Sequence, residues 1–143
     1  MGFNQEQIKK IIPHRAPMLF VDEVIDMTPD NSIKAKFYIS PQWDIFQGHF
    51  PGAPVLPGVF SVEAMAQTAD ILLLSIDRYT GKIPYFIGLN EVKFKKKIFP
   101  GDTIIIEAKI CKENLEKAIV TCNAAAYVDD ELATSGKVTL AMR

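Results

Sequence analysis

The stretch GHFPGAPVLPGVFSVEAMAQ, residues 48–67, decides how the rest of the chain is read. It sets three prolines and three glycines around His49, then runs into an apolar segment carrying one glutamate, Glu63. Proline suits the first turn of a helix, where its missing N–H costs nothing, so Pro57 marks a helix start. From there Val59, Val62, Ala66, Ala69, Leu73 and Ile76 recur at helical spacing, and other apolar residues fill most remaining positions. A helix that is apolar nearly all round is a buried one. The pattern predicts a helix over residues 57–80, about 36 Å long.

On either side of this segment the period changes. Residues 4–11 read as a short amphipathic helix, with Asn4 a candidate N-cap and Pro13 beyond its end. MLFVDEVIDM (18–27) and SIKAKFYI (32–39) read as strands. After the helix, residues 85–99, 102–113, 117–129 and 131–142 read as further strands. Their short connectors PGD, ENLE and DDE favour antiparallel neighbours. The expected architecture is α+β: an antiparallel sheet of five to seven strands wrapped around one long helix, in a single domain spanning residues 1–143.

The chain has 143 residues, is 48% hydrophobic and carries a net charge of -1. That composition supports a sizeable core and gives no electrostatic case for a nucleic-acid partner. No apolar run reaches the roughly 20 residues of a membrane span, and the N-terminus lacks the apolar run of a secretory signal, so a cytoplasmic location is expected. Cys111 and Cys122 form no CxxC or metal-like cluster and read as buried, inert thiols.

The chemistry concentrates around the helix start. The first N–H groups of a helix have no internal partner, and the helix terminus carries partial positive charge. Gly58, lacking a side chain, leaves such an N–H open to a ligand oxygen and can stabilise a developing oxyanion. Glu63 lies about two turns in, where burial would favour the protonated carboxyl of a general acid. A histidine, titrating ordinarily near ~6.5, suits a general base, which is the role open to His49. Base, acid and amide donor together suit proton abstraction beside a carbonyl with loss of a β leaving group. Spacing alone leaves open whether His49 and Glu63 meet within one chain or across two.

GHFPGAPVLPGVFSVEAMAQ strongly resembles the signature of β-hydroxyacyl-acyl carrier protein dehydratases of the FabZ type, which have the hot-dog fold. IIPHRAPMLFVDEV (11–24) resembles that family's N-terminal motif, and VKFKKKIFPGD (92–102) its late-strand motif. The resemblance covers nearly the whole chain. It implies dehydration of a (3R)-hydroxyacyl chain on acyl carrier protein to the trans-2-enoyl thioester, in fatty acid biosynthesis. His49 would be the catalytic histidine, Glu63 the catalytic acid and the Gly58 amide the donor to the thioester oxygen, with no metal or organic cofactor. It further implies a homodimer whose active sites combine His49 and Glu63 from different subunits, assembled in some members into a trimer of dimers. Dehydratase-isomerases of the FabA type usually carry aspartate at this position in a longer chain, so Glu63 favours the non-isomerising type.

The resemblance also places Tyr85 and Phe86 near the mouth of an acyl tunnel, and puts Val59 and Phe60 where they bear on its shape. KFKKK (93–97) holds four lysines in five positions. Acyl carrier proteins are acidic, so Lys93, Lys95 and Lys97, with Arg15, are candidate docking residues. The competing reading of the lysines is an edge strand protected by charge. His14 reads as a structural hydrogen-bonding residue. Trp43 and Asp44 depart from the family's usual Asn-Glu. The rival functions are a hot-dog acyl thioesterase and a non-catalytic acyl-carrier-binding module.

Overall fold

The computed structural model describes residues 2–143. Its elements are α1 (Gln5–Lys9), β1 (Glu23–Thr28), β2 (Ser32–Tyr38), α2 (Gly58–Leu74), β3 (Pro84–Phe94), β4 (Thr103–Asn114), β5 (Ile119–Val128) and β6 (Glu131–Met142). Single 3₁₀ turns at Asp44–Gln47 and Asp77–Tyr79 precede and follow α2. The strands form one six-stranded sheet in the order β1-β2-β4-β5-β6-β3, with every neighbouring pair antiparallel. Helix α2 lies against β2, β3, β4, β5 and β6. This is the hot-dog arrangement the sequence led us to expect.

Two periodicities build it. Along β5, Val120, Cys122, Ala124, Ala126 and Val128 all point inward, because side chains alternate across a strand. Along α2, every residue from Ser61 to Leu74 is buried except Glu63. Each fully buried residue such as Ile71, Leu72 or Leu73 stabilises the fold by roughly 1.5–3 kcal/mol. The β5–β6 hairpin turns through Asp129 and Asp130, both at positive φ (49° and 64°), the mirror-image geometry that matches strand twist. Asn4 caps α1 in a full capping box with Gln7, as its sequence position suggests. Among the described residues no helix is long and apolar enough to cross a membrane.

Four expectations need correction. Pro57 is the N-cap of α2, not its first residue, so Gly58 opens the helix. The helix ends at Leu74, not residue 80. Ser75 folds its N–H and hydroxyl back onto the Ile71 carbonyl, Ile76 is extended, and Tyr79 is anchored by its hydroxyl to Glu113. The first strand begins at Glu23, not residue 18. Residues 18–20 give their backbone groups to a helix side chain instead, since Gln67 accepts from Phe20 N–H and donates to the Met18 carbonyl. Finally, Cys111 is exposed while Cys122 is buried. Cys111 shares strand parity with the exposed Glu107 and Lys109, and it sits in a bulge between Ile110 and Lys112.

Candidate active site

The loop before α2 is held by local bonds. Phe50 and Ala53 exchange backbone hydrogen bonds across Pro51 and Gly52, with Gly52 at φ 76°, where a side chain would be strained. Val55 N–H donates to the His49 carbonyl at 3.0 Å, and Leu56 N–H to the Ile98 carbonyl at 2.8 Å. The His49 ring is partly buried, stacked on Phe50 with centroids 4.0 Å apart. Its Nδ1 lies 2.8 Å from the Val55 carbonyl. A carbonyl only accepts, so Nδ1 carries the proton and Nε2 is left with its lone pair. The imidazole is thereby set in the tautomer of a base.

At the start of α2, Gly58 has no side chain for a physical reason. A Cβ there would come within 2.6 Å of the Phe94 ring. Phe94, 58% exposed, lies over the helix terminus and lines a cleft of about 540 Å³ with Gly58, Val59, Lys95 and Lys97. The terminus is tied to the sheet by buried Ser61, whose hydroxyl donates to the Gly58 carbonyl at 2.7 Å and lies 3.0 Å from Thr134 Oγ1. The first residue of α2 therefore borders this cleft, beneath the Phe94 ring.

Glu63 keeps 26% side-chain exposure, so it is half-buried where full desolvation was the expectation. Gln67 Nε2 donates to Glu63 Oε2 at 2.7 Å. On its other side Glu63 Oε2 faces His14 Nε2 at 3.9 Å, and the same nitrogen is 3.7 Å from Asp70 Oδ2. Neither separation is a hydrogen bond. His14 Nδ1 and Asp70 Oδ1 are buried without hydrogen-bond partners. His14 is thus not the hydrogen-bonded structural residue expected from its motif. Burial lowers its imidazole pKa, partly offset by the charge of Glu63, with Arg15 lowering it further. Burial, and then the charge of Glu63, push the Asp70 carboxyl well above the usual range. Sequence reading missed Gln67 and Asp70. Their signal was present: Glu63, Gln67 and Asp70 stand at i, i+4 and i+7, one stripe of a helix whose other polar residues are the hydroxyls Ser61 and Thr68.

Among the described residues no hydrogen bond or ion pair joins His49 to Glu63; each has only the partners named above. The other candidates divide. Tyr85 and Phe86 lie on β3, an edge strand, at 55% and 37% exposure. Phe60 packs edge-on against Phe20 and Trp43. Lys95 and Lys97 line the Gly58 cleft, whereas Lys93 lines a separate depression with Glu91 and Lys137. Lys96, also on the cleft, pairs with Glu131 at 3.2 Å. Arg15 turns its guanidinium onto the carbonyls of Lys9, Ile12 and His14. No group of three His, Cys, Asp or Glu among the described residues could hold a metal ion.

A FabA-like domain family matches residues 12–137. A 3-hydroxyacyl-[acyl-carrier-protein] dehydratase FabZ from Oenococcus oeni is 45% identical over 129 residues, 90% of this chain and 91% of that protein. The enzyme of the same name from Clostridium perfringens is 42% identical over 97% of this chain and 98% of its own. Among solved structures, the dehydratase heterocomplex ApeI:P from Xenorhabdus doucetiae superposes with a TM-score of 0.79 at 16% identity, covering 95% of this chain and 90% of that one. A hypothetical thioesterase from Streptococcus pneumoniae, solved with coenzyme A, gives 0.64 at 8% identity, with 84% of each chain covered. At these identities the two structures speak for the fold alone.

Proposed function

The chain belongs to the FabA-like family, and from that premise we infer that it is a dehydratase of 3-hydroxyacyl-[acyl-carrier-protein] in fatty acid biosynthesis, a hydro-lyase like the FabZ relatives it matches over 90% and 97% of its length. The roles we assign are those the motif resemblance implies, and the His49 geometry supports them. His49 Nε2, free because Nδ1–H is committed to the Val55 carbonyl, takes the proton from C2 of the acyl chain. The Gly58 amide, aided by the helix terminus, holds the thioester oxygen as charge develops on it. Glu63 gives a proton to the departing C3 hydroxyl, the C3–O bond breaks, and water and the trans-2-enoyl thioester leave. The observation that carries this reading is the fixed tautomer of His49.

The absence of any bond between His49 and Glu63 within one chain favours sites shared between two copies. The surface for pairing is β3. It is an edge strand eleven residues long, with Tyr85, Ile87 and Leu89 exposed at 55%, 53% and 43%. An open apolar edge is a template for another strand. The opposite edge, β1, is shorter and partly covered by the Phe3–Val24 bridge. Two copies joined along β3 form a homodimer, the unit from which a trimer of dimers can grow. Lys95 and Lys97, beside the cleft, form the docking patch for an acidic carrier protein in the cytoplasm, while the acyl chain enters past Phe94; Tyr85 and Phe86, near the opposite end of β3, do not line this cleft.

The test is the hydration–dehydration equilibrium of a crotonoyl thioester. The parent protein interconverts the two species without releasing free thiol, and His49→Ala abolishes the reaction. Thiol release in place of hydration identifies a thioesterase. No turnover of carrier-protein substrates by a folded dimer leaves a binding module. Lys95→Glu/Lys97→Glu is expected to raise KM for a carrier-linked substrate about tenfold and to leave a small thioester unaffected.

A further inference from the structure

We propose that Glu63, His14 and Asp70 share one proton, and that Asp70 and His14 are positioning residues that keep Glu63 supplied with the proton it donates. This rests on the reading of Glu63 as the catalytic acid. The geometry carries it. Asp70 is 2% exposed, and its Oδ1 has no partner. Natural structures rarely leave a buried carboxyl oxygen unpaired, so this atom calls for an explanation. Its other oxygen faces His14 Nε2 at 3.7 Å, and that nitrogen faces Glu63 Oε2 at 3.9 Å. A single ring nitrogen can close to hydrogen-bond length on only one of the two acids at a time. His14 is therefore a pivot between them.

Gln67 makes the arrangement directional. Its Oε1 must accept from Phe20 N–H, so its amide NH₂ faces the Met18 carbonyl and Glu63 Oε2. That pins the carboxylate toward His14. The remaining groups around the trio do not compete for the proton. Arg15, beside His14, is a fixed cation bonded to carbonyls. Cys122 of β5 faces Asp70 as a thiol, its pKa pushed up to about 12, chiefly by burial.

Two acids flanking one imidazole cannot both ionise cheaply, so the set holds its last proton to a higher pH than a lone carboxyl would. Desolvation keeps that proton on Asp70 at rest, consistent with the direction of its shift. In turnover the Asp70 O–H gives its proton to the Nε2 lone pair of neutral His14, Nε2–H passes it to Glu63 Oε2, and Glu63 delivers it to the leaving hydroxyl, which leaves Asp70 as the carboxylate. The proton taken up by His49 leaves to water. One from water re-enters at His14, which is 19% exposed, and returns to Asp70. No proton is gained or lost over the cycle.

The experiment is the pH profile of kcat on a small 3-hydroxyacyl thioester for the parent, Glu63→Gln, Asp70→Asn and His14→Gln. Asp70→Asn and His14→Gln should each lower kcat about tenfold on the alkaline side, with KM changed less than about twofold. Their alkaline limb should move toward acid by about one pH unit, so that activity near pH ~5.5 approaches the parent's. If Asp70→Asn does not fold, His14→Gln, at a partly exposed position, decides the matter. An unmoved limb, or a loss equal at every pH, overturns the proposal. Glu63→Gln separates the two readings. If it retains activity, Glu63 is not the acid and both fall. If it is inactive while the other two profiles match the parent, only the shared proton falls.

Discussion

Two clusters of charge on this molecule invite comparison. Near the C-terminal end of α2, Arg78 donates to Glu113 at 2.8 Å and to Asp30 at 3.0 Å, stacks over Tyr79, and Tyr79 also bonds Glu113. Beside Glu63 stand one further acid, Asp70, and one histidine, His14, with contacts of 3.7 and 3.9 Å and two buried polar atoms unpaired. The first cluster joins exposed Asp30 and Arg78 to half-buried Glu113 and buried Tyr79, and every bond is made. In the second, apart from the bond from Gln67 to Glu63, the charged groups face one another beyond hydrogen-bond length. Saturated, partly exposed ion pairs tie elements together and contribute little else. A buried, unsaturated set keeps protons that can still move, and such sets gather at functional sites.

Substitutions that act on one cluster at a time sharpen this contrast. The largest effect belongs to Glu63→Gln, which should lower kcat by about 10²–10⁴-fold with the fold intact by circular dichroism and the solution mass equal to the parent's. Next comes Asp70→Leu. Removing a buried acid should raise stability by about 1 kcal/mol, read as a higher urea midpoint, while activity falls. The sign follows from linkage. A carboxyl whose folded pKa is raised contributes most below its unfolded value near ~3.9 and loses that contribution as pH rises. The gain from Asp70→Leu should therefore be greatest at neutral and alkaline pH and vanish below about pH 4.

The smallest effect belongs to Arg78→Ala, with a cost below about 1 kcal/mol for a partly exposed, screened pair and no change in kcat. Its pH dependence has the opposite sense. Hydrogen bonding from Arg78, against the burial that raises it, holds the Glu113 carboxyl below its usual range. That contribution is present above about pH 4.3 and is lost as pH falls further. Acid urea titrations of the parent and of Arg78→Ala should converge. If Arg78→Ala impaired catalysis, or Asp70→Leu destabilised the protein at pH 7, the division into a structural and a functional cluster would fail.

Much of the fold was legible because it follows from short-range periodicity. The alternation in residues 131–142 and the helical spacing after Pro57 name their elements without reference to anything distant. The candidate site was legible only in part. His49, Gly58 and Glu63 stand out by residue type against their neighbours. Asp70 did not, because its meaning depends on His14, fifty-six positions earlier in the chain. The Lys93–Lys97 run shows the same limit. β3 ends at Phe94, and beyond it the chain carries Lys95 and Lys97 to the cleft, while Lys93 stays behind on the strand.

The sequence by itself determined the helix start to within one residue, an antiparallel sheet of five to seven strands, the family and the residue types that can move protons. Those follow from dihedral preferences and side-chain chemistry, which are local. Tertiary structure alone decided that α2 stops at Leu74, that residues 18–20 bond to Gln67 instead of the sheet, and that a second acid lies behind Glu63. Each depends on hydrogen bonds and desolvation between segments distant in sequence, and those are fixed only when the sheet closes around the helix.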